Sequence, residues 1–332
     1  METKRISYID AMRGFTMILV VYSHVCHFCL GDSTMGFNAV FFLFRLPCFF
    51  FISGWLFEPV SRRPFLPNVR HKFMVQIVPT FIFLLLLAPP PEFFHQVGAL
   101  KGGYWFTFVL FEFFVINMLA VRCLPRYGWL LALVVSVGGF WFGGCQHAWR
   151  LSGEHGLLLD VAGLLSVSLW RYYLFFYVGT FMRRHFETFV RLTSRPEVVA
   201  GVTLGFFAVA LTAHPDSPWL EYLRFTGGGL LGVAMVFTAF RLSSGWMERW
   251  HVSRPLQYVG RRTLDVYLLH YFFLPRWLMD DAGRLLAYNS QLLEFGVVMT
   301  VALVVLLLSL AASYVLRLSP FLARYLFGVK QA

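Results

Sequence analysis

The chain has 332 residues, of which 58% are hydrophobic and only 14% charged, with a formal net charge of +11. That balance lies outside the range of soluble domains and describes a chain that lives in lipid. No long polar stretch interrupts the apolar runs, so a separate soluble catalytic domain is excluded and residues 1–332 read as a single membrane-embedded domain.

Apolar runs of spanning length fall at 11–30, 37–57, 73–89, 104–121, 127–145, 165–182, 197–213, 225–240, 262–279 and 295–316. The expected fold class is therefore all-α, a polytopic integral membrane bundle of about ten helices. The first run is long enough to span and no A-x-A-like site follows it, so it reads as a helix rather than a cleaved leader. The sixth is the least regular, because 156–182 also fits a re-entrant segment followed by a helix. Pro89-Pro90-Pro91 is expected to stop the third helix. The glycines of the fifth and eighth, including Gly227-Gly228-Gly229, suit close helix packing.

Basic residues predict the orientation. With a cytoplasmic N-terminus, twenty of the 28 lysines and arginines fall on inner segments and five (Lys101, Arg150, Arg224, Arg276 and Arg284) on outer loops. Arg13, Arg45 and Arg171 lie in or at the edge of helices. The excess alternates loop by loop, as the positive-inside rule requires. Both termini, including a tail at 317–332, are thus expected in the cytoplasm, with the protein in the cytoplasmic (inner) membrane among its lipids. The basic surplus is topogenic, so no nucleic-acid partner is expected.

Ionisable groups inside spans are costly and mark functional sites. On the first helix Arg13 and His24 are eleven residues apart, about 20° off alignment and about 16 Å along the axis, a spacing suited to one long ligand held at both ends. Asp10 falls on the same stripe, about 21 Å from His24, too far for direct contact. Arg13 also fits a snorkelling cation at the headgroups. His24, deeper in the span, fits either a structural hydrogen bond between helices or a general base at neutral pH.

The second span holds Arg45, the helix-kinking Pro47 and the Ser53-Gly54 pair, which bend a helix around a cavity or simply kink it. The segment from Ser61 to Pro79 carries Arg62, Arg63, Arg70, His71 and Lys72, topogenic charge that would also hold a phosphorylated cytoplasmic ligand. Glu112 and Asp265 are acids within spans. Asp265 lies near the expected depth of Arg13, which suggests an ion pair, and His270 follows about 7 Å deeper.

The run His24-Val-Cys26-His27-Phe-Cys29 does not give a metal site, since one helix cannot close a tetrahedron with these spacings. Haem attachment requires histidine where Leu30 stands. No metal and no disulfide framework is expected. Only Cys29 and Cys145 share the outer face, and a bridge between them is not expected.

Five motifs in order resemble the membrane-bound acyltransferase family 3, particularly its fucose 4-O-acetylase-like branch, over roughly residues 5–316. They are Asp10-Ala-Met-Arg13-Gly14 with His24; Phe44-Arg45-Leu-Pro47-Cys-Phe-Phe-Phe-Ile-Ser53-Gly54; His71-Lys72-Phe73 through Pro79; Trp105-Phe106-Thr107; and Gly260-Arg-Arg-Thr-Leu-Asp265-Val-Tyr267-Leu-Leu-His270. Two positions depart from the family pattern: Arg45 replaces a histidine, and Gln76 stands where many members outside this branch carry an arginine.

The resemblance implies transfer of an acyl group, usually acetyl, from cytoplasmic acyl-CoA to a hydroxyl of a glycan or lipid-linked sugar, with acyl-CoA as co-substrate and no permanently bound cofactor. On this reading His24 is the catalytic base, with covalent carriage of the acyl group by His24 as the weaker alternative, and Arg13, Arg45, Arg70 and Lys72 are the candidate donor contacts. Asp10, Ser53, Trp105, Asp265, Tyr267 and His270 take supporting places. A secondary transporter of an acylated sugar or small anion is the alternative, but the paired short, broken helices expected of inverted repeats are not seen in the sequence.

Overall fold

The computed structural model describes residues 6–31, 36–87, 101–151 and 157–328. Pro89-Pro90-Pro91 and the terminal Lys4, Arg5 and Lys330 lie outside these residues. Every regular element among them is helical. In chain order the helices begin with α1 (Ser7–Leu30), α2 (Gly36–Phe57), α3 (Phe65–Lys72), α4 (Val78–Leu87), α5 (Trp105–Cys123), α6 (Gly128–Leu151), α7 (Leu157–Leu164) and α8 (Tyr173–Arg184). They continue through α9 (Phe186–Leu192), α10 (Pro196–Ala210), α11 (Pro218–Leu242), α12 (Ser244–Arg249), α13 (Ser253–Arg261), α14 (Thr263–Leu269), α15 (Ala282–Ala287), α16 (Gln291–Leu316) and α17 (Pro320–Phe327).

Seven helical stretches among the described residues are long and apolar enough to cross a membrane: 7–30, 36–60, 65–87, 105–123, 128–145, 218–242 and 291–316. The chain is an all-α, multi-pass membrane protein. Leu303, Val304, Leu307 and Leu308 of α16 are exposed, a surface that suits hydrocarbon and not water.

The other three expected spans take broken or shorter forms. The sixth begins at Ser166, whose backbone is left-handed (φ +51°), and runs as a 3-10 turn over Val167–Tyr172 into α8. Six residues at about 2.0 Å and twelve at about 1.5 Å reach about 30 Å, so the pair matches one hydrocarbon thickness without an unbroken α-helix. The seventh, α10, has only fifteen residues. The ninth is not continuous over 262–279: α13 ends where Arg262 leaves helical geometry (φ −115°, ψ 22°), α14 covers seven residues, and a 3-10 turn over His270–Phe272 follows.

The chain divides into two compact units. The first comprises residues 1–49 and 185–315. Its packing is organised by α1 against α13. There a Cβ on Gly14 would stand 1.9 Å from the Leu256 carbonyl oxygen, and a Cβ on Gly260 would stand 1.9 Å from that of Asp10. Each helix thus presents a glycine to the other's backbone, the close approach that small residues permit in membranes. An aromatic cluster of Tyr22, Phe37, Phe41 and Phe295 packs α1, α2 and α16 together.

The second unit comprises residues 50–184 and 316–332. Gly54 and Gly179 make the same reciprocal crossing, 1.9 Å from Phe176 O and 2.0 Å from Phe51 O. Its centre is Phe50, whose ring contacts Phe106, Phe113 and Tyr172 at 4.8–5.2 Å between centroids. Between α3 and α4 the helix widens into a π-turn at Phe73–Ile77, a feature often retained at functional sites.

Candidate active site

The glycine crossing in the first unit has a chemical consequence. With α1 held against α13, the chain that continues into α14 brings His270 to His24: His24 Nδ1 lies 2.6 Å from His270 Nε2. The ring centroids are 4.9 Å apart and the planes differ by 12°. That separation equals the nitrogen–nitrogen gap plus one ring radius at each end, so the imidazoles lie edge to edge in a shared plane rather than face to face. This is the geometry of an in-plane N–H···N hydrogen bond.

His270 is fully buried, and His24 is half-buried. The α14 helix ends immediately before His270, and Val266 O accepts a hydrogen bond from His270 Nδ1 at 3.0 Å. Tyr271 packs 5.2 Å from the His24 ring and 4.0 Å from the His270 ring, with Tyr267 6.0 Å from His270. Phe28 adds an edge contact to both His24 and Tyr271, and the Arg276 guanidinium lies over Phe28 at 5.7 Å. The pair therefore sits in an aromatic surround of low polarity, which strengthens each polar contact inside it.

Arg45 adds a cation to this neighbourhood. Only 9% exposed, it donates from Nη1 to Asn38 Oδ1 at 2.7 Å and lies within electrostatic reach of His24. Pro47, inside α2, has no N–H to give and leaves the Leu43 carbonyl without its helical donor. At the other end of α1, Asp10 is buried in the first turn and Arg13 half-buried beside Gly14. Asp265 is buried in the first turn of α14, where Asp265 Oδ2 accepts from the Ser313 hydroxyl, and Arg262 Nη1 also donates to Ser313 Oγ at 3.3 Å. Ser313 on α16 thereby ties the acid and the arginine of the late motif to the last span.

Ser53, Arg70, Lys72 and Trp105 belong to the second unit. Arg70 is exposed and, with Leu66, Pro67, His71 and Met74, lines a groove of about 460 Å³. Lys72 is half-buried, its ammonium over the Phe114 ring at 5.4 Å. Ser53 is half-buried beside the Gly54 crossing, and Trp105 stacks at 6.4 Å on Tyr172.

Gln76, the second departure from the family pattern, sits in the π-turn and donates from Nε2 to Thr107 O at 2.7 Å. Thr80 Oγ1 bonds both Gln76 O and Thr107 Oγ1. An amide here ties the π-turn to the start of α5.

Two buried residues are singled out by no sequence motif. Tyr271, next to the histidine of the late motif, is part of the aromatic surround. Lys101, a loop cation by sequence, is 1% exposed and donates to Ser166 Oγ at 2.6 Å and Gly163 O at 3.3 Å. Burial pushes its ammonium below the usual lysine range, an effect that the nearby Glu112 carboxylate opposes only in part. Glu112 itself accepts from Trp170 Nε1 at 2.7 Å. No disulfide joins any of the five cysteines, and among the described residues no three His, Cys, Asp or Glu side chains converge to hold a metal.

No curated protein and no solved structure matches the chain. A family model described as an acyltransferase domain matches residues 6–318, a match that takes in both units and every motif residue considered above. A multi-pass membrane chain with a paired histidine in a membrane helix, matched over nearly its whole length, belongs to that acyltransferase family.

Proposed function

We propose that the protein is an O-acyltransferase of the fucose 4-O-acetylase-like branch, moving an acetyl or other short acyl group from cytoplasmic acyl-CoA to a hydroxyl of a cell-surface glycan or lipid-linked sugar. The observation that carries this reading is the half-buried His24 on a membrane helix, backed by His270 from the turn that follows α14. Acyl transfer to an alcohol needs a group that removes the hydroxyl proton at neutral pH, and imidazole is the side chain suited to it.

In the proposed reaction His24 Nε2 takes the proton of the acceptor hydroxyl as its oxygen attacks the thioester carbonyl. The C–S bond then breaks, and the proton returns from His24 to the departing sulfur, giving the ester and free CoA. Arg45 supplies positive charge close to His24 for the oxygen anion that forms in between. Arg13, Arg70 and Lys72 are assigned to the donor, whose phosphates call for guanidinium and ammonium groups.

Purified protein given labelled acetyl-CoA and a panel of glycans tests the proposal. Transfer is expected from the wild type and to fall by about 10²–10⁴ in His24→Ala, the usual worth of a general base. Undiminished transfer by His24→Ala overturns the base assignment. Donor turnover with no glycan or lipid-linked sugar as acceptor overturns the substrate class.

A further inference from the structure

A histidine serves as base only through a nitrogen that carries a lone pair, and which of the two does so depends on what the other is bonded to. In this protein the answer can be traced from the backbone outward. Val266 O has no proton to give, so the His270 nitrogen bonded to it, Nδ1, carries the hydrogen. Neutral His270 then has its lone pair on Nε2. That nitrogen faces His24 Nδ1 at 2.6 Å, so the proton between the rings belongs to His24 Nδ1. His24 Nε2 is left with the lone pair, and it has no hydrogen-bond partner among the described residues.

The geometry points to His270 as the positioning residue of the transfer reaction: anchored by the Val266 carbonyl, it accepts the Nδ1 proton of His24 and so presents His24 Nε2, deprotonated, to the acceptor hydroxyl. This rests on His24 being the base. It assigns to a buried neutral imidazole the task that a carboxylate performs behind many catalytic histidines, namely fixing tautomer and ring orientation. A neutral partner does so without placing an anion in the membrane interior, where an unpaired charge is expensive. The ring cannot turn away without losing the carbonyl bond, and Tyr271 against its face resists rotation.

Two substitutions separate this role from mere packing. In His270→Gln the side-chain carbonyl can accept from His24 Nδ1–H while the amide NH₂ donates to Val266 O. In His270→Leu bulk is kept and both hydrogen bonds are lost. With labelled acetyl-CoA and the best acceptor found for the wild type, kcat is expected to fall by at least about 100-fold in His270→Leu and to stay within about tenfold of wild type in His270→Gln. KM for the donor is expected to hold within about threefold in both, because His270 touches neither substrate. A leucine variant as active as wild type, or a folded glutamine variant as inactive as the leucine one, overturns the assignment. If His270→Leu does not fold, His270→Gln decides alone, and kcat under about 1% of wild type with donor KM unchanged overturns it. The His24→Ala measurement stands apart: transfer surviving there sinks the base reading whatever the His270 variants do.

Discussion

Arg45 stands where the resembled family carries histidine, and the difference is chemical rather than one of size. A guanidinium is always charged and presents five donors in a rigid fork. Asn38 engages one arm, and the nearly buried cation lies within reach of His24. If Arg45 meets the oxygen anion of the transfer reaction, Arg45→Ala is expected to lower kcat by about 10²–10³, as loss of one oxyanion donor does elsewhere. Arg45→Lys keeps the charge without the fork and should lose about tenfold. Steady-state kinetics with varied acyl-CoA checks this: a change confined to donor KM would make Arg45 a ground-state contact only. At this scale the sequence makes single residues visible and not their partners. His24 stands out because it is an imidazole in an apolar run. Its bond to His270 spans 246 positions and leaves no local pattern. The burial of Lys101 is hidden for the same reason, since its partner Ser166 is 65 residues away.

The pairing of those histidines depends on an element-scale device, the glycine crossing of α1 and α13. A methyl at Gly14 cannot stand 1.9 Å from a carbonyl oxygen, so Gly14→Ala must push the two helices apart. Overpacking of this kind costs about 1–3 kcal/mol, and here it also displaces His24 from His270. Gly227, in the middle of α11, has open space around a built Cβ. Gly227→Ala is therefore expected to be neutral or stabilising by up to about 1 kcal/mol. Thermal unfolding of the detergent-purified variants, with transfer measured alongside, checks the contrast: a lower midpoint and lost activity for Gly14→Ala, neither for Gly227→Ala. Hydropathy shows both glycines inside apolar runs and does not distinguish them, because the distinction lies in which backbone lies opposite. It also reads 262–279 as one span. The helix break at Arg262 falls where Gly260 is clamped against α1, a tertiary constraint with no signature in apolar periodicity.

At the scale of the whole molecule, the alternation of basic residues, twenty against five, predicts which side of the membrane each helix end occupies. Native cysteines offer a direct check. Cys26, Cys29 and Cys48 are buried, whereas Cys123 and Cys145 are exposed. Cys123 closes α5 beside Arg122 and Arg126, on an expected cytoplasmic turn. Cys145 lies seventeen residues beyond Gly128 along α6, about 26 Å at helical rise, which is close to one hydrocarbon thickness. The two thiols should therefore face opposite compartments. A membrane-impermeant maleimide added to intact cells is expected to label Cys145 and spare Cys123, and inverted vesicles should reverse the result. Cys145→Ser should abolish labelling of intact cells, and Cys123→Ser should leave it unchanged. The outcome bears on chemistry as well as topology, because the segment from Arg62 to Lys72 shares the predicted side of Cys123. Labelling of Cys123 from outside would turn Arg70 and Lys72 away from the cytoplasmic pool of acyl-CoA, and the donor assignment would fall with the orientation.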